Sequence, residues 1–130
     1  MKRDMELIRH LLFAIEEIDT AGDYTAFKKD EAEIEFADKY GNSWDNIRHQ
    51  HLELLIEAKL IEGMTVNSTD GTMLVMPKRL TWSGHEYLNS IRDANAWKYI
   101  RTKLNTLGVW TLPIVQQLAG KYAEKVLGLG

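Results

Sequence analysis

The chain has 130 residues, of which 45% are hydrophobic and 27% charged, and it contains no cysteine. Such a composition is typical of a globular domain, and it excludes disulfides, thiolate zinc sites and thiol nucleophiles. The net charge of −3 argues against a dedicated DNA-binding protein, which usually carries a basic surface. The charge is uneven, since residues 1–60 carry 8 basic and 14 acidic side chains and residues 61–130 carry 8 and 5.

Nothing in the sequence predicts a membrane partner. No apolar run approaches the roughly 18 residues that span a bilayer. Arg9, His10, Glu16 and Glu17 interrupt the only stretch that could resemble the core of a signal peptide. Absence of cysteine fits the reducing cytoplasm, so we expect a cytoplasmic protein.

The first predicted element is an amphipathic helix over residues 4–18. Its apolar residues recur at the three- and four-residue spacing of one buried face. They are Ile8, Leu11, Leu12, Ile15 and Ile18. Asp4 is the expected N-cap, because its carboxylate can accept hydrogen bonds from the first turn. Residues 19–23 are expected to end the helix.

The next stretch predicts a strand, a turn and a second helix. Residues 32–37 alternate small or apolar with acidic side chains, the period of a half-exposed strand. Residues 39–42 predict a turn. Ser43 is then the expected N-cap of a helix, with Asp45 in its first turn. One face of that helix carries Ile47, His51, Leu54, Leu55 and Ala58.

A β-hairpin is predicted next. An extended run over residues 60–66 and a second over residues 73–76 flank residues 67–72, which have Asp-Gly at their centre. Pro77 is expected to end the second strand or to confine it to an edge.

Three helices are expected to follow. Thr81 caps the first, which runs to about Arg92 with Leu88 and Ile91 inward. The second covers residues 94–107 and stops at Gly108, and the third starts near Thr111 with Pro113 in its first turn. The apolar positions of the last two helices are Trp97, Ile100, Leu104 and Leu107, then Val115, Leu118, Ala119, Tyr122, Ala123 and Val126. Two helices added after a hairpin fold back or dimerise, and we favour a homodimer.

This order of elements resembles winged-helix proteins, so we expect an α+β fold. The winged-helix-like domain is expected to cover residues 1–92, with a C-terminal helical extension over residues 93–130. A closer resemblance rests on residues 1–9, residues 80–88, and residues 91–93 followed by Trp97. These stretches are similar to the family called domain of unknown function 2513, which occurs in bacteria and their prophages. The family name implies no activity.

The motif departs from a standard helix-turn-helix, which needs a short helix to brace the recognition helix. The stretch before Ser43 predicts strand and turn. Either a very short helix lies near residues 36–40, or the motif is incomplete.

No catalytic or cofactor site is predicted. His49 and His51 lie two apart on a helix and cannot converge on one metal ion. His51 is expected in the core and His49 on the surface. Ser83 and His85 lack the elbow of a nucleophile motif, no glycine spacing matches a phosphate loop, and Glu33 is expected on a solvated face. We therefore expect neither an enzyme nor a bound cofactor or metal.

Duplex DNA is the partner for which the sequence supplies candidate residues. Asn46, Arg48, His49 and Gln50 are predicted to point away from the apolar face of the Ser43 helix, and such side chains can read base edges. Lys78 and Arg79 flank the hairpin and could contact phosphates.

The same residue types occur on ordinary polar helix faces, and Glu53, Glu57 and Asp70 would repel phosphates. Two functions remain open at this point. One is a DNA-associated transcriptional regulator, and the other is a protein–protein adaptor whose winged-helix fold does not bind DNA.

Overall fold

The computed structural model describes residues 1–21, 31–108 and 110–128. These residues form an α+β fold in which a two-stranded antiparallel sheet accompanies a larger helical part. The helices are α1 (Met5–Ala21), α2 (Glu31–Tyr40), α3 (Trp44–Glu57), α4 (Trp82–Ile91), α5 (Ala94–Leu107) and α6 (Leu112–Leu127), and the strands are β1 (Ile61–Asn67) and β2 (Met73–Leu80). The chain divides into two compact units, Met1–His85 and Glu86–Gly130. The sequence predicts this division seven residues later, after residue 92.

Helix α1 begins where the sequence predicts it. Asp4 Oδ1 accepts hydrogen bonds from the backbone N–H groups of Glu6 at 3.1 Å and Leu7 at 3.2 Å. The predicted N-cap is therefore confirmed. The predicted apolar face is buried, and Leu11, Leu12 and Ile15 are fully inaccessible. The helix continues to Ala21, and the rest of its predicted end, residues 22–23, lies outside the described residues.

The strand predicted at residues 32–37 is wrong, because α2 covers that stretch as a helix. Alternation over six residues is short, and alanine and glutamate both favour helix over strand. Ile34, which a strand would bury, is 56% exposed, whereas Glu33 is 4% exposed. The expectation that Glu33 is solvated is therefore also wrong. The part of the ambiguous region at residues 24–30 lies outside the described residues.

A 3-10 turn, Gly41–Ser43, joins α2 to α3. Ser43 directly precedes α3, as predicted, but the expected side-chain cap is wrong, because its backbone is helical and its side chain makes no capping hydrogen bond. The turn continues from α2, and the backbone N–H of Trp44 donates to the Gly41 carbonyl instead. The Trp44 ring stacks on Phe36 and Tyr40 of α2, at centroid distances of 6.0 and 6.3 Å. Helix α2 therefore braces the start of α3.

Strands β1 and β2 form the predicted hairpin. At its tip, Gly71 has a φ of +88°, which suits glycine, and Asp70 accepts hydrogen bonds from Thr72. Of the two alternatives predicted for Pro77, the structure shows the second: β2 continues past it to Leu80, and it is an edge strand of a two-stranded sheet. The register pairs Gly63 with Pro77 and Glu62 with Arg79, so the pairing contains a bulge. This bulge inserts Lys78 as an extra residue in β2.

The N-cap predicted at Thr81, directly after the hairpin, is confirmed. The backbone N–H of Gly84 donates to Thr81 Oγ1 at 3.0 Å, while the Thr81 hydroxyl donates to the Lys59 carbonyl at 2.6 Å. Gly84 packs so closely on the Leu60 carbonyl that a Cβ at this position would collide with its oxygen. The element order α1, α2, α3 and hairpin is compatible with a winged helix.

The second unit has its own core and regular caps. Asp93 caps α5 and Thr111 caps α6 through their side chains, and Gly108 ends α5 in the left-handed region. The buried apolar side chains of this unit are Tyr87, Leu88, Ile91, Ala96, Trp97, Ile100, Leu104, Val115, Leu118 and Ala119. Leu107 and Val126 depart from the predicted apolar faces, since they are 60% and 64% exposed.

Candidate functional site

The outward side of α3 is the first part of the candidate site. Asn46 is exposed and Gln50 half-buried, and Gln50 Nε2 donates to Asn46 Oδ1 at 3.2 Å. Glu53 and Glu57 lie on the same side of the helix, since they follow at helical spacing. We call these four residues the α3 face. The structure thus brings together two of the predicted side chains, Asn46 and Gln50, beside two carboxylates.

Arg48 does not point outward with them. Its Nε lies 2.9 Å from Oε1 of Glu33 on α2, and the two side chains are only 15% and 5% exposed. Burial lowers the pKa of Arg48, and the charge of Glu33 opposes that effect. Such a guanidinium remains charged at neutral pH. Arg48 therefore joins α3 to α2, and the prediction that it points away from the apolar face is wrong.

The prediction that His49 is a surface residue is also wrong, because it is 6% exposed. Its Nδ1 accepts a hydrogen bond from the backbone N–H of Val75 on β2 at 3.1 Å. Its Nε2 lies 3.6 Å from Oδ1 of Asp45. Burial lowers the pKa of His49, whereas the neighbouring Asp45 carboxylate raises it. The side chain of His49 therefore links α3 to the hairpin and does not point outward to contact a ligand.

The basic residues of the hairpin lie on β2, at the end next to α4. Lys78 is exposed at the bulge. Arg79 makes two hydrogen bonds of 2.8 Å to the two carboxylate oxygens of Glu62, its partner across the sheet. These bonds lower the pKa of Glu62. Arg79 is thus held in a bidentate ion pair, in which two of its N–H donors are directed at one carboxylate.

Sequence reasoning missed the two carboxylates that engage the predicted arginines. The alternation at residues 32–37 predicts a strand, and a strand gives no indication that Glu33 approaches Arg48 from a neighbouring helix. The pair Glu62 and Arg79 could have been found, because a hairpin centred on Asp70 and Gly71 brings them close to cross-strand register.

Two structural features would indicate metal or membrane chemistry, namely a group of side chains that could hold a metal ion and a helix that could span a membrane. Within residues 1–21, 31–108 and 110–128, no three histidine, aspartate or glutamate side chains are placed to hold a metal ion. None of the helices in this part of the chain is long and apolar enough to cross a membrane.

Comparison with known proteins yields a family and a distant relative. The family model described as "Hypothetical protein (DUF2513)" matches residues 2–110. An "Uncharacterized protein" of Haemophilus influenzae is 27% identical over 134 residues, and the alignment covers 98% of this chain and 99% of that protein. No solved structure matches the chain.

Proposed function

Because the chain belongs to the DUF2513 family, whose description states no activity, we propose its function from its surface: a non-enzymatic protein-interaction adaptor that binds through the α3 face. The observation that carries this proposal is the charge of that face. Glu53 and Glu57 accompany two amides there, while the guanidinium of Arg48 is turned inward to Glu33. The helix that would read DNA therefore presents net negative charge.

Charge decides between a protein and a nucleic acid as the partner. Duplex DNA carries one negative charge per about 1.7 Å of its axis, and binding proteins gain affinity by neutralising it. Two carboxylates on the α3 face oppose that gain, and Asp45 adds a third on the same helix with 90% of its side chain exposed. A polypeptide with lysine or arginine side chains is attracted by the same groups. The amides Asn46 and Gln50 can add hydrogen bonds to such a partner.

A DNA-associated transcriptional regulator is the second candidate, and one observation favours it. Helix α2 and the turn Gly41–Ser43 supply the brace that a helix-turn-helix requires. In this alternative Asn46 and Gln50 would read base edges, and Lys78 would contact a phosphate. Arg48 and Arg79 would contribute only after leaving Glu33 and Glu62, which costs the energy of two ion pairs.

Two measurements on the full chain separate these functions. A photo-crosslinking amino acid at Asn46 should form an adduct with a protein in cells, and the same group at Lys121, an exposed residue of α6, is the positional control. The adduct should weaken in a Glu53→Gln/Glu57→Gln variant. Fluorescence anisotropy of a labelled duplex should show no binding at low salt.

The opposite pattern would reject the adaptor. Duplex binding that weakens as salt rises, that is lost in Lys78→Ala and that is strengthened in the double glutamine variant would establish the DNA-associated function. Equal crosslinking from Asn46 and Lys121 would show that the α3 face is not a binding site.

A further inference from the structure

The hairpin exposes an aliphatic surface on the side that faces away from the core. Val75 is 2% exposed and points inward. On the opposite side, Met64 lies across from Met76 and Val66 across from Leu74. These four side chains are 60%, 47%, 43% and 49% exposed, respectively. We call them the hairpin face. The largest apolar patch on the surface of a soluble protein is often an interaction site.

Charged groups lie at both ends of the hairpin face. At the base, next to α4, stand Lys78 and the ion pair of Arg79 with Glu62, with a net charge of +1. At the tip, Asp70 is exposed and negative. The base also contains an open groove of about 630 Å³. Apolar residues make up most of its lining, namely Ile56, Ile61, Met64, Met76 and Pro77. From base to tip, the surface is therefore positive, aliphatic and then negative.

From this polarity we infer that the hairpin face binds a second copy of the chain, with the two hairpins antiparallel. A two-fold axis across the strands, at the level of Thr65 and Val75, superposes each tip on the base of the other copy. Asp70 of each chain then approaches Lys78 of its partner, so the charge contact forms twice. A parallel arrangement would instead bring like charges together at each end.

The side chains of the hairpin face also suit this arrangement. The same axis places the methionine pair of one copy over the Val66 and Leu74 pair of the other. Long, flexible side chains then pack against shorter ones, which lets two facing layers interdigitate. No charged group lies inside the aliphatic part, so its burial carries no cost of removing a charge from water.

The area of the hairpin face sets the affinity expected for the dimer. Four half-exposed side chains amount to a few hundred square ångströms per copy, below the roughly 800 Å² per partner of stable complexes. The dimer should therefore be weak and reversible. It is independent of the proposed adaptor function, because the α3 face does not take part in it.

Sedimentation equilibrium of the full chain tests the inference over concentrations from about 10 µM to 1 mM. The weight-average mass of the wild type should rise from monomer towards dimer. Leu74→Glu should abolish the rise, and Leu107→Glu is the matched control, since Leu107 is a leucine of similar exposure on α5. Circular dichroism confirms that each variant is folded.

A charge exchange tests the antiparallel geometry. Asp70→Lys and Lys78→Asp should each weaken the dimer several-fold, and the double variant should recover most of the affinity. A mass that stays monomeric throughout, or association that Leu74→Glu leaves unchanged, would overturn the inference. Loss of association in Leu107→Glu alone would assign the dimer to the C-terminal helices. Failure of the double variant to recover would reject the antiparallel arrangement.

Discussion

The backbone N–H of Asp4 donates a hydrogen bond to Nε2 of His51 at 2.9 Å, across a sequence separation of 47 residues. Because Nε2 accepts, the proton of the neutral ring resides on Nδ1, which donates to the Ile47 carbonyl at 2.8 Å. His49 accepts from Val75 in a similar way. Two buried imidazoles therefore connect α3 to the start of α1 and to β2, and each does so only while it is neutral.

We predict that acid weakens the first unit through these two histidines. Burial lowers the pKa of His51 below its ordinary value, against the hydrogen bond to Ile47 and the charge of Asp4, and burial likewise lowers that of His49. The unfolded chain thus binds protons that the folded chain does not. The free energy of unfolding should be at its plateau above the unfolded pKa of about 6.5 and should fall as the pH drops below it.

Urea unfolding measured between about pH 5 and pH 8 checks this prediction. The free energy of unfolding should change with pH by at most about 1.4 kcal/mol per pH unit for each histidine. In a His49→Gln/His51→Gln variant, the amides can still accept the backbone N–H groups but do not titrate in this range. Its free energy of unfolding should be nearly flat across the same range. An unchanged slope would assign the acid sensitivity to other groups.

The ion pair of Arg48 and Glu33 gives a second prediction. Arg48→Ala removes the guanidinium that lies 2.9 Å from the carboxylate of Glu33, which is only 5% exposed. Removing one partner of a buried pair costs about 3–5 kcal/mol, whereas replacing both with apolar side chains is often neutral. Arg48→Met/Glu33→Leu should therefore unfold at nearly the wild-type urea concentration, while Arg48→Ala unfolds much earlier. Equal losses in both variants would show that the pair itself is not the cause.

Gly84 and Gly120 form a matched pair of helical glycines. A Cβ at Gly84 collides with the Leu60 carbonyl oxygen, whereas one at Gly120 meets nothing within 4 Å. Gly84→Ala should destabilise the chain by about 2–4 kcal/mol, because helix and hairpin must separate. Gly120→Ala should stabilise it by up to about 1 kcal/mol, through helix propensity alone. Thermal unfolding monitored by circular dichroism gives both values, and similar effects at the two positions would contradict the close packing.

Lys59 gives a fourth prediction, since it has a φ of +61° just after α3. A side chain in the left-handed region costs roughly 1–2 kcal/mol, which glycine avoids. Lys59→Gly should therefore be more stable than Lys59→Ala, although both lose the same exposed side chain. Urea unfolding of the two variants measures the difference directly. If the alanine variant is at least as stable, the backbone at this position is not strained.

Local chemistry made several parts of the fold predictable from sequence. Asp4, Thr81, Asp93 and Thr111 cap helices, and two of these caps, Asp4 and Thr81, were expected because a short polar side chain precedes a periodic apolar run. The hairpin was expected from its Asp-Gly turn. Helix α2 was missed because its burial depends on Trp44 and Arg48, which lie on a different helix and are not visible in a short window.

The candidate site was harder to predict, because it depends on which charges meet after folding. A sequence shows that Arg48 is basic and lies on a helix, but not that Glu33 faces it. The helical pattern alone predicts His49 at the surface, whereas in the structure the hairpin covers it and the backbone N–H of Val75 donates to it. The apolar residues of the hairpin were visible as two extended runs, but the face of the sheet that each residue occupies depends on the register and on the bulge at Lys78.

The position of Asp4 also has a consequence for synthesis. The hydrogen-bond partners of Asp4 are synthesised much later than Asp4 itself. His51 accepts from its backbone N–H, and the Tyr40 hydroxyl, 36 residues further along the chain, donates to its Oδ2 at 2.6 Å. During translation α1 therefore leaves the ribosome with Leu7, Leu11 and Ile15 uncovered, and it gains its partners only after α3 has emerged. The nascent chain passes through an interval in which its most apolar helix is a natural substrate for chaperones.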